Sequence, residues 1–336
     1  MKIYRLILVV SASLIISCDK KEPLIQPDLI TEKVLHDTDD PAIWVHPTDP
    51  SKSIIFGTDK DTNGAIYAFD LDGKIIPEKV IRDIKYPNNI DLEYGFRLND
   101  STTTDIIVFT EREKNQIRLF SVPDMKPLDG GGFLVFEDEK NLELRRPMGI
   151  GLYKNPNNHS VTAIVSRKSG PENGYLYQYQ LVSDSLGVHA KLVRKFGKFS
   201  QQKEIEAIAV DDELGFVYYS DEGVGIRKYY ADAEMGNEEL AFFGGEFFKE
   251  DIEGIAIASK ENGHGFLIVS DQQKGQFNVF SRKDNSYIKA INLGTTATDG
   301  CDVVTIPLGA TFTKGLFVAM NEQKDFYLYD LGRLGL

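Results

Sequence analysis

The chain has 336 residues, 42% of them hydrophobic and 26% charged, which is the balance of a globular protein and excludes a disordered or low-complexity class. A formal charge of -13 with a pI near 5.0 argues against a nucleic-acid partner, whose phosphates would be repelled. Two cysteines and five histidines, none in metal-ligand spacing, leave no thiolate or imidazole site for zinc, so oxygen is the only abundant ligand type.

Met1 to Cys18 reads as a targeting segment. Lys2 and Arg5 are followed by the apolar run Leu6 to Ile16, too short to span a bilayer as a mature helix. Ile15-Ile16-Ser17-Cys18 resembles a bacterial lipobox, which implies a lipid anchor on Cys18 and an extracytoplasmic or secreted protein. An ordinary secretory signal is the alternative. Residues 19–30 then read as a tether, and 31–336 as a single domain. With Cys18 spent on the anchor, Cys301 is expected to be unpaired and buried.

Downstream the chain repeats itself. The segment DTDDPAIWVHP, Asp37 to Pro47, runs a cluster of carboxylates into a short apolar strand, and comparable events start at Asn88, Arg146, Lys203, Glu250 and Thr298. Each is followed by a second apolar strand with a polar end (SIIFGTDK, DIIVFTER, TAIVSRK, FVYYSDE, FLIVSDQ, LFVAMNE). Then come a third strand rich in aromatics and, in most units, a fourth. Six units of short strands separated by Gly, Asn and Asp, without an amphipathic helix, predict an all-β fold. The specific expectation is a six-bladed β-propeller of four-stranded antiparallel blades. The sixth unit lacks a fourth strand, and LITEKVLHD, Leu29 to Asp37, is expected to supply it and close the ring.

In a propeller, equivalent positions become rings. Aligning the units on their first strands predicts a ring of Asp40, Asp91, Met148, Glu206, Glu253 and Asp302, reinforced by Asp39, Asp251 and Asp299. The ends of the second strands divide by sign: Lys60, Arg112 and Arg167-Lys168 in the first three units, Asp221-Glu222, Asp271 and Glu322 in the last three. Asp271 and Glu322 are expected to be solvated. Converging carboxylates need a cation, and all-oxygen donors favour calcium, in several copies. The cationic half suits phosphate oxygens. Together they point to hydrolysis of a phosphate ester by a metal-activated water, since no nucleophile elbow or reactive cysteine is present.

These segments, in this order from Thr31 to Ala319, resemble the β-propeller phytases, calcium-dependent enzymes that cleave inositol hexakisphosphate; DDPAIWVHP and NNIDL carry most of the likeness. The resemblance implies calcium-binding roles for Asp40, Glu206, Glu222, Asp251, Glu253 and Asp299. It implies phosphate contacts at the cleavage point for Lys60 and Arg112, and a neighbouring phosphate held by Lys168. Lys60, Arg112 and Glu206 form the expected catalytic set, Arg167 joins the substrate-binding set, and Asp39, Asp91 and Asp302 join the metal set. Met148 departs from the tyrosine that the resemblance leads one to expect; the segment after Val318 lacks a Gln-Asp-Gly-Glu-Asn-like calcium loop, and the turn between Asp221 and Ile226 is short. The expected partner is a small polyphosphate, phytate, bound by a monomer that meets membranes only through its anchor. A calcium-dependent propeller lactonase or esterase, and a non-catalytic polyanion-binding propeller, are the alternatives.

Overall fold

The computed structural model describes residues 22–336; the predicted targeting segment and Cys18 lie outside the described residues. Six four-stranded antiparallel sheets make up the chain, so the predicted architecture holds. The first blade is β2 (Thr38–Trp44), β3 (Ile54–Asp59), β4 (Gly64–Phe69) and β5 (Ile81–Ile84). The second is β6 (Pro87–Arg97), β7 (Thr103–Glu111), β8 (Gln116–Val122) and β9 (Phe133–Leu134). The third is β10 (Pro147–Lys154), β11 (Val161–Arg167), β12 (Asn173–Asp184) and β13 (Gly187–Lys198). Then follow β14 (Ile208–Asp211), β15 (Phe216–Asp221), β16 (Gly225–Tyr230) and β17 (Ala241–Phe243), and β18 (Ile252–Ser259), β19 (Gly265–Asp271), β20 (Gln276–Ser281) and β21 (Tyr287–Ile291). The sixth blade has β22 (Cys301–Val304), β23 (Leu316–Asn321) and β24 (Asp325–Asp330) from the C-terminal end and β1 (Leu29–Ile30) from the N-terminal end.

The closure is antiparallel, with Leu29 opposite Leu328 and Ile30 opposite Tyr327. Although β1 is short, the chain keeps donating to the same partner strand, Thr31 N–H to Phe326 O and Val34 N–H to Lys324 O, so the predicted segment lies along β24 for most of its length. Residues of the stretch read as a tether also dock: Ile25 N–H donates to Asn292 O, and Asp28 accepts from Asp330 N–H and Arg333.

The core follows from radial packing. Six hydrophobic clusters each fill the space between two consecutive blades, including one that joins Val34, Ile43 and Ile55 to Val318, Phe326 and Leu328 across the closure. The aromatic third strands supply much of this filling, with Tyr175, Tyr177, Phe277, Phe326 and Tyr329 buried. Because a blade alone exposes both faces of its sheet, no blade is stable without its neighbours. Closure of the ring therefore fixes the geometry at the axis, where the innermost strands converge.

Candidate active site

At the start of the innermost strand four blades share one irregularity. Pairing runs Thr38↔Asp59 then Pro41↔Gly57, Pro87↔Glu111 then Ile90↔Phe109, Pro147↔Arg167 then Ile150↔Val165, and Ile252↔Asp271 then Ile255↔Val269. Two residues face one in each case, so each inner strand carries a one-residue β-bulge at the same height. Bulges re-aim side chains, and here they set the true register of the repeats. Counting from the matching pairs Ile208↔Tyr219 and Cys301↔Ala319 in the other two blades, the equivalent residues are Asp39, Asn88, Met148, Glu206, Glu253 and Asp299.

This corrects the predicted ring. Asp40 lies one residue deeper than Asp39, and Asp91 and Asp302 lie three residues deeper than Asn88 and Asp299. They line an axial cavity of about 150 Å³, and each carboxylate accepts from a backbone N–H of the next blade. Asp302 takes Ile43 N–H at 2.8 Å, Asp40 takes Ile90 N–H at 3.1 Å and Asp91 takes Leu152 N–H at 2.6 Å. These acids staple neighbouring blades at the axis. Burial pushes Asp91 up to about 7 and Asp302 to about 6, against the lowering effect of those N–H donors, and burial also raises Asp40 well above the usual carboxylate range. Cys301 is buried and unpaired as expected, its thiol pushed up by burial and by Asp40 and Asp302.

The upper ring is held by hydroxyls. Thr110 donates to Met148 O at 2.9 Å, Ser166 to Ile205 O at 2.6 Å and Ser270 to Thr298 O at 2.8 Å, each tying the second strand of one blade to the entry of the next. The blades approach so closely that a Cβ on Gly149 would sit 1.7 Å from Glu206 O, so only glycine fits there.

Within the ring Lys60 Nζ lies 2.5 Å from Asp39 Oδ1 and 3.1 Å from Asp299 Oδ2. Asn88 Nδ2 donates to Asp39 Oδ2 and to Glu206 Oε1, both at 3.1 Å. Gln272 Nε2 donates to Asp299 Oδ1 at 2.6 Å. Glu204, Glu206 and Glu222 each bring a carboxylate oxygen within 4.8 Å of the others. Glu253 is buried beside them. Burial, compounded by Asp39, pushes Glu206 up to about 8; burial with Glu206 and Glu204 pushes Glu222 to about 9; burial with Asp39 pushes Asp299 to about 7. Glu253 is raised well above its ordinary range for the same reasons. Burial favours neutral Lys60, yet Asp39, Glu206 and Asp299 outweigh it and hold the ammonium charged.

One backbone bond places the second-strand ends level with this ring. Lys60 N–H donates to Asp37 O, Arg112 to Tyr86 O, Lys168 to Arg146 O, Glu222 to Glu204 O and Gln272 to Asp251 O. The cationic arc is therefore Lys60, Arg112 and Lys168 on three consecutive blades. Arg112 stacks 4.6 Å above the Tyr86 ring and its NH2 group touches the Met148 sulfur at 2.6 Å, while its Nε has no acceptor. Lys168 is exposed and pairs with Glu204 at 2.5 Å.

Arg167 does not belong to this arc. It is fully buried, paired with Glu139 at 2.7 Å and enclosed by Phe136, Tyr175 and Tyr177, so it can reach no ligand. Asp271, expected to be solvated, is fully buried and accepts from Lys274 N–H; Glu322 is exposed as expected. Glu204, Asn88 and Gln272 were not singled out from the sequence. Glu204 stands two residues before Glu206 in KEIEAIAV, a spacing that could have flagged it.

The donor set fits a hard cation. It is all oxygen, and Glu222 Oε1, Glu253 Oε2 and Asn88 Oδ1 are buried without a hydrogen-bond partner. Such orphaned acceptors carry a desolvation cost of about 1–3 kcal/mol each, more when charged, which a bound cation would offset.

A family model described as Phytase matches residues 7–326. A 3-phytase of Bacillus subtilis (strain 168) is 31% identical over 301 residues, covering 85% of this chain and 74% of that protein. Among solved structures, the Dos1 propeller aligns over 88% of this chain and 67% of its own, at 15% identity and a TM-score of 0.46.

Proposed function

Since this chain belongs to the phytase family and is a phosphomonoester hydrolase, we propose that it releases phosphate from phytate at the ring of Asp39, Asn88, Glu206, Glu253 and Asp299. The observation that carries this reading is the meeting, at one mouth, of buried oxygens lacking partners with the arc of Lys60, Arg112 and Lys168. A polyanionic ester needs both: cations to neutralise the ring, and fixed positive groups to seat the phosphates.

Glu204, Glu206, Glu222, Glu253, Asp299 and Asp251 would hold calcium, in more than one copy given the number of acids, and bound calcium supplies charge neutralisation and a more acidic water. Lys60, inside the ring, and Arg112, beside it, would contact the oxygens of the phosphoryl group to be cleaved, where fixed charge matters most as the bond breaks. Arg112 is partly exposed at the mouth, and stacking on Tyr86 holds the plane of its guanidinium. Lys168, one blade on, would hold an adjacent phosphate, which favours a substrate with neighbouring phosphates over a simple monoester. Without a cation Glu206, pushed up to about 8, stays largely protonated near neutral pH; a cation held beside it would favour its ionised form, which could then accept a proton from the attacking water.

We further propose a monomer anchored outside the cytoplasm through Cys18, on the strength of the lipobox-like Ile15-Ile16-Ser17-Cys18. Phosphate release from phytate, measured with calcium and with a chelator, tests the central claim. Calcium-dependent release exceeding that from a simple phosphate monoester is expected; no release at any calcium concentration would overturn it.

A further inference from the structure

The rim is not divided by sign as cleanly as the second-strand ends alone suggest. Lys203, just ahead of Glu204 and Glu206, lies on the acidic half. Its Nζ is in ion-pair contact with Asp251 Oδ1 and lies 3.8 Å from Glu250 Oε2. The other Asp251 oxygen accepts from Gln273 Nε2 at 2.6 Å, and Asp251 N–H donates to Gln273 Oε1 at 2.7 Å. Both oxygens of Asp251 are thus already engaged. Glu222 and Glu253 instead each keep a buried oxygen with no donor.

We propose that Lys203 is an internal counter-ion that occupies the Asp251 position of the cation-binding mouth, so that a divalent cation must displace it and binds more weakly than the acids alone would allow. This rests on the reading of the mouth as a calcium site. One carboxylate oxygen cannot serve an ammonium and a calcium ion at hydrogen-bond distance together, because the two cations repel and compete for the same lone pairs. Lys203 can leave without opening the fold: it is partly exposed, on a flexible four-carbon stem, and its two acidic partners are at the rim. Lys203 therefore sets the calcium concentration at which the site fills, a positioning role through Asp251 rather than contact with substrate.

Calorimetric titration of calcium chloride into the chelator-stripped full chain tests this. A partly exposed ion pair is worth up to about 1 kcal/mol, so Lys203→Gln is expected to bind calcium roughly five-fold more tightly, whereas Lys203→Arg stays within about twofold of the natural protein. Melting in chelator, with Lys203→Ser as a second neutral variant, checks that folding is intact. Equal or weaker calcium binding by the folded neutral variants would overturn the counter-ion role. If the natural protein still releases phosphate from phytate in a calcium-dependent way in that case, the functional reading survives; if it binds no calcium at all, both fall.

Discussion

Asn88 Nδ2 lies 3.1 Å from Glu206 Oε1, joining the second blade to the fourth past the intervening Met148, and the same amide nitrogen reaches Asp39 of the first blade. A neutral amide thus stands between two acids that would otherwise face each other. Asn88→Leu removes the amide donor and leaves Asp39 Oδ2 and Glu206 Oε1 buried without it. It is expected to lower unfolding stability in chelator by about 2–3 kcal/mol, measured by urea denaturation. Unchanged stability would mean that these bonds do not organise the ring.

Lys60 sits inside the ring, paired with Asp39 and Asp299. Lys60→Ala is expected to cut phosphate release from phytate by roughly 10²–10³-fold, the scale seen when a fixed electrostatic donor to a transition state is lost. Stability in chelator should also fall, since the two acids lose their counter-charge, and calcium should restore it. Single-turnover phosphate release and calorimetric melting, each with and without calcium, separate the two effects.

The ring acids set a pH dependence with a definite sign. Asp299, Glu206 and Glu222 are pushed up to about 7, 8 and 9 in the folded protein, so the fold favours their protonated forms. That stability is fully present below the ordinary carboxylate range near pH 4 and is lost as pH rises through about 7–9. In chelator the melting temperature is therefore expected to drop by on the order of 5 °C or more between pH 5 and pH 9. Millimolar calcium should abolish the drop, because it stabilises the ionised forms. A melting temperature in chelator that rises over this range would contradict the assigned cause.

Ring closure depends on the pairing of Leu29 and Ile30 with β24 and on the buried Thr31 and Val34. Deleting the chain through Val34 opens the first and sixth blades at once. The expected outcome is loss of a cooperative melting transition near that of the intact chain, followed by near-ultraviolet circular dichroism. A truncated protein that melts as the full chain does would show that the remaining strands close the ring unaided.

Met148 is the ring member that brings no oxygen, and its sulfur lies against Arg112. Met148→Tyr is expected to raise calcium-dependent phosphate release severalfold while costing about 1–3 kcal/mol through overpacking of a buried position. Phosphate release and urea denaturation of the same variant report the two effects independently. An unchanged rate would assign the position to packing.

The six repeats, the four short strands in each and the closure through Leu29 to Asp37 follow from alternation of apolar and polar residues and from turn residues, which are local properties of a chain. The cations Lys60, Arg112 and Lys168 were legible for the same reason: each directly follows an apolar strand. What local pattern could not decide was register. Asp39-Asp40 and Asn88-Asn89 are doubled polar pairs, so either member could head the inner strand, and only the bulge opposite Thr58 and Thr110 selects Asp39 and Asn88 for the upper ring. The neighbours Arg167 and Lys168 look equivalent in sequence, yet one is enclosed by aromatic rings and the other faces the rim, because successive strand residues point to opposite sides. The contact of Asn88 with Glu206 exists only once the ring of blades brings the second and fourth to one mouth, and that of Lys203 with Asp251 only once two neighbouring blades pack.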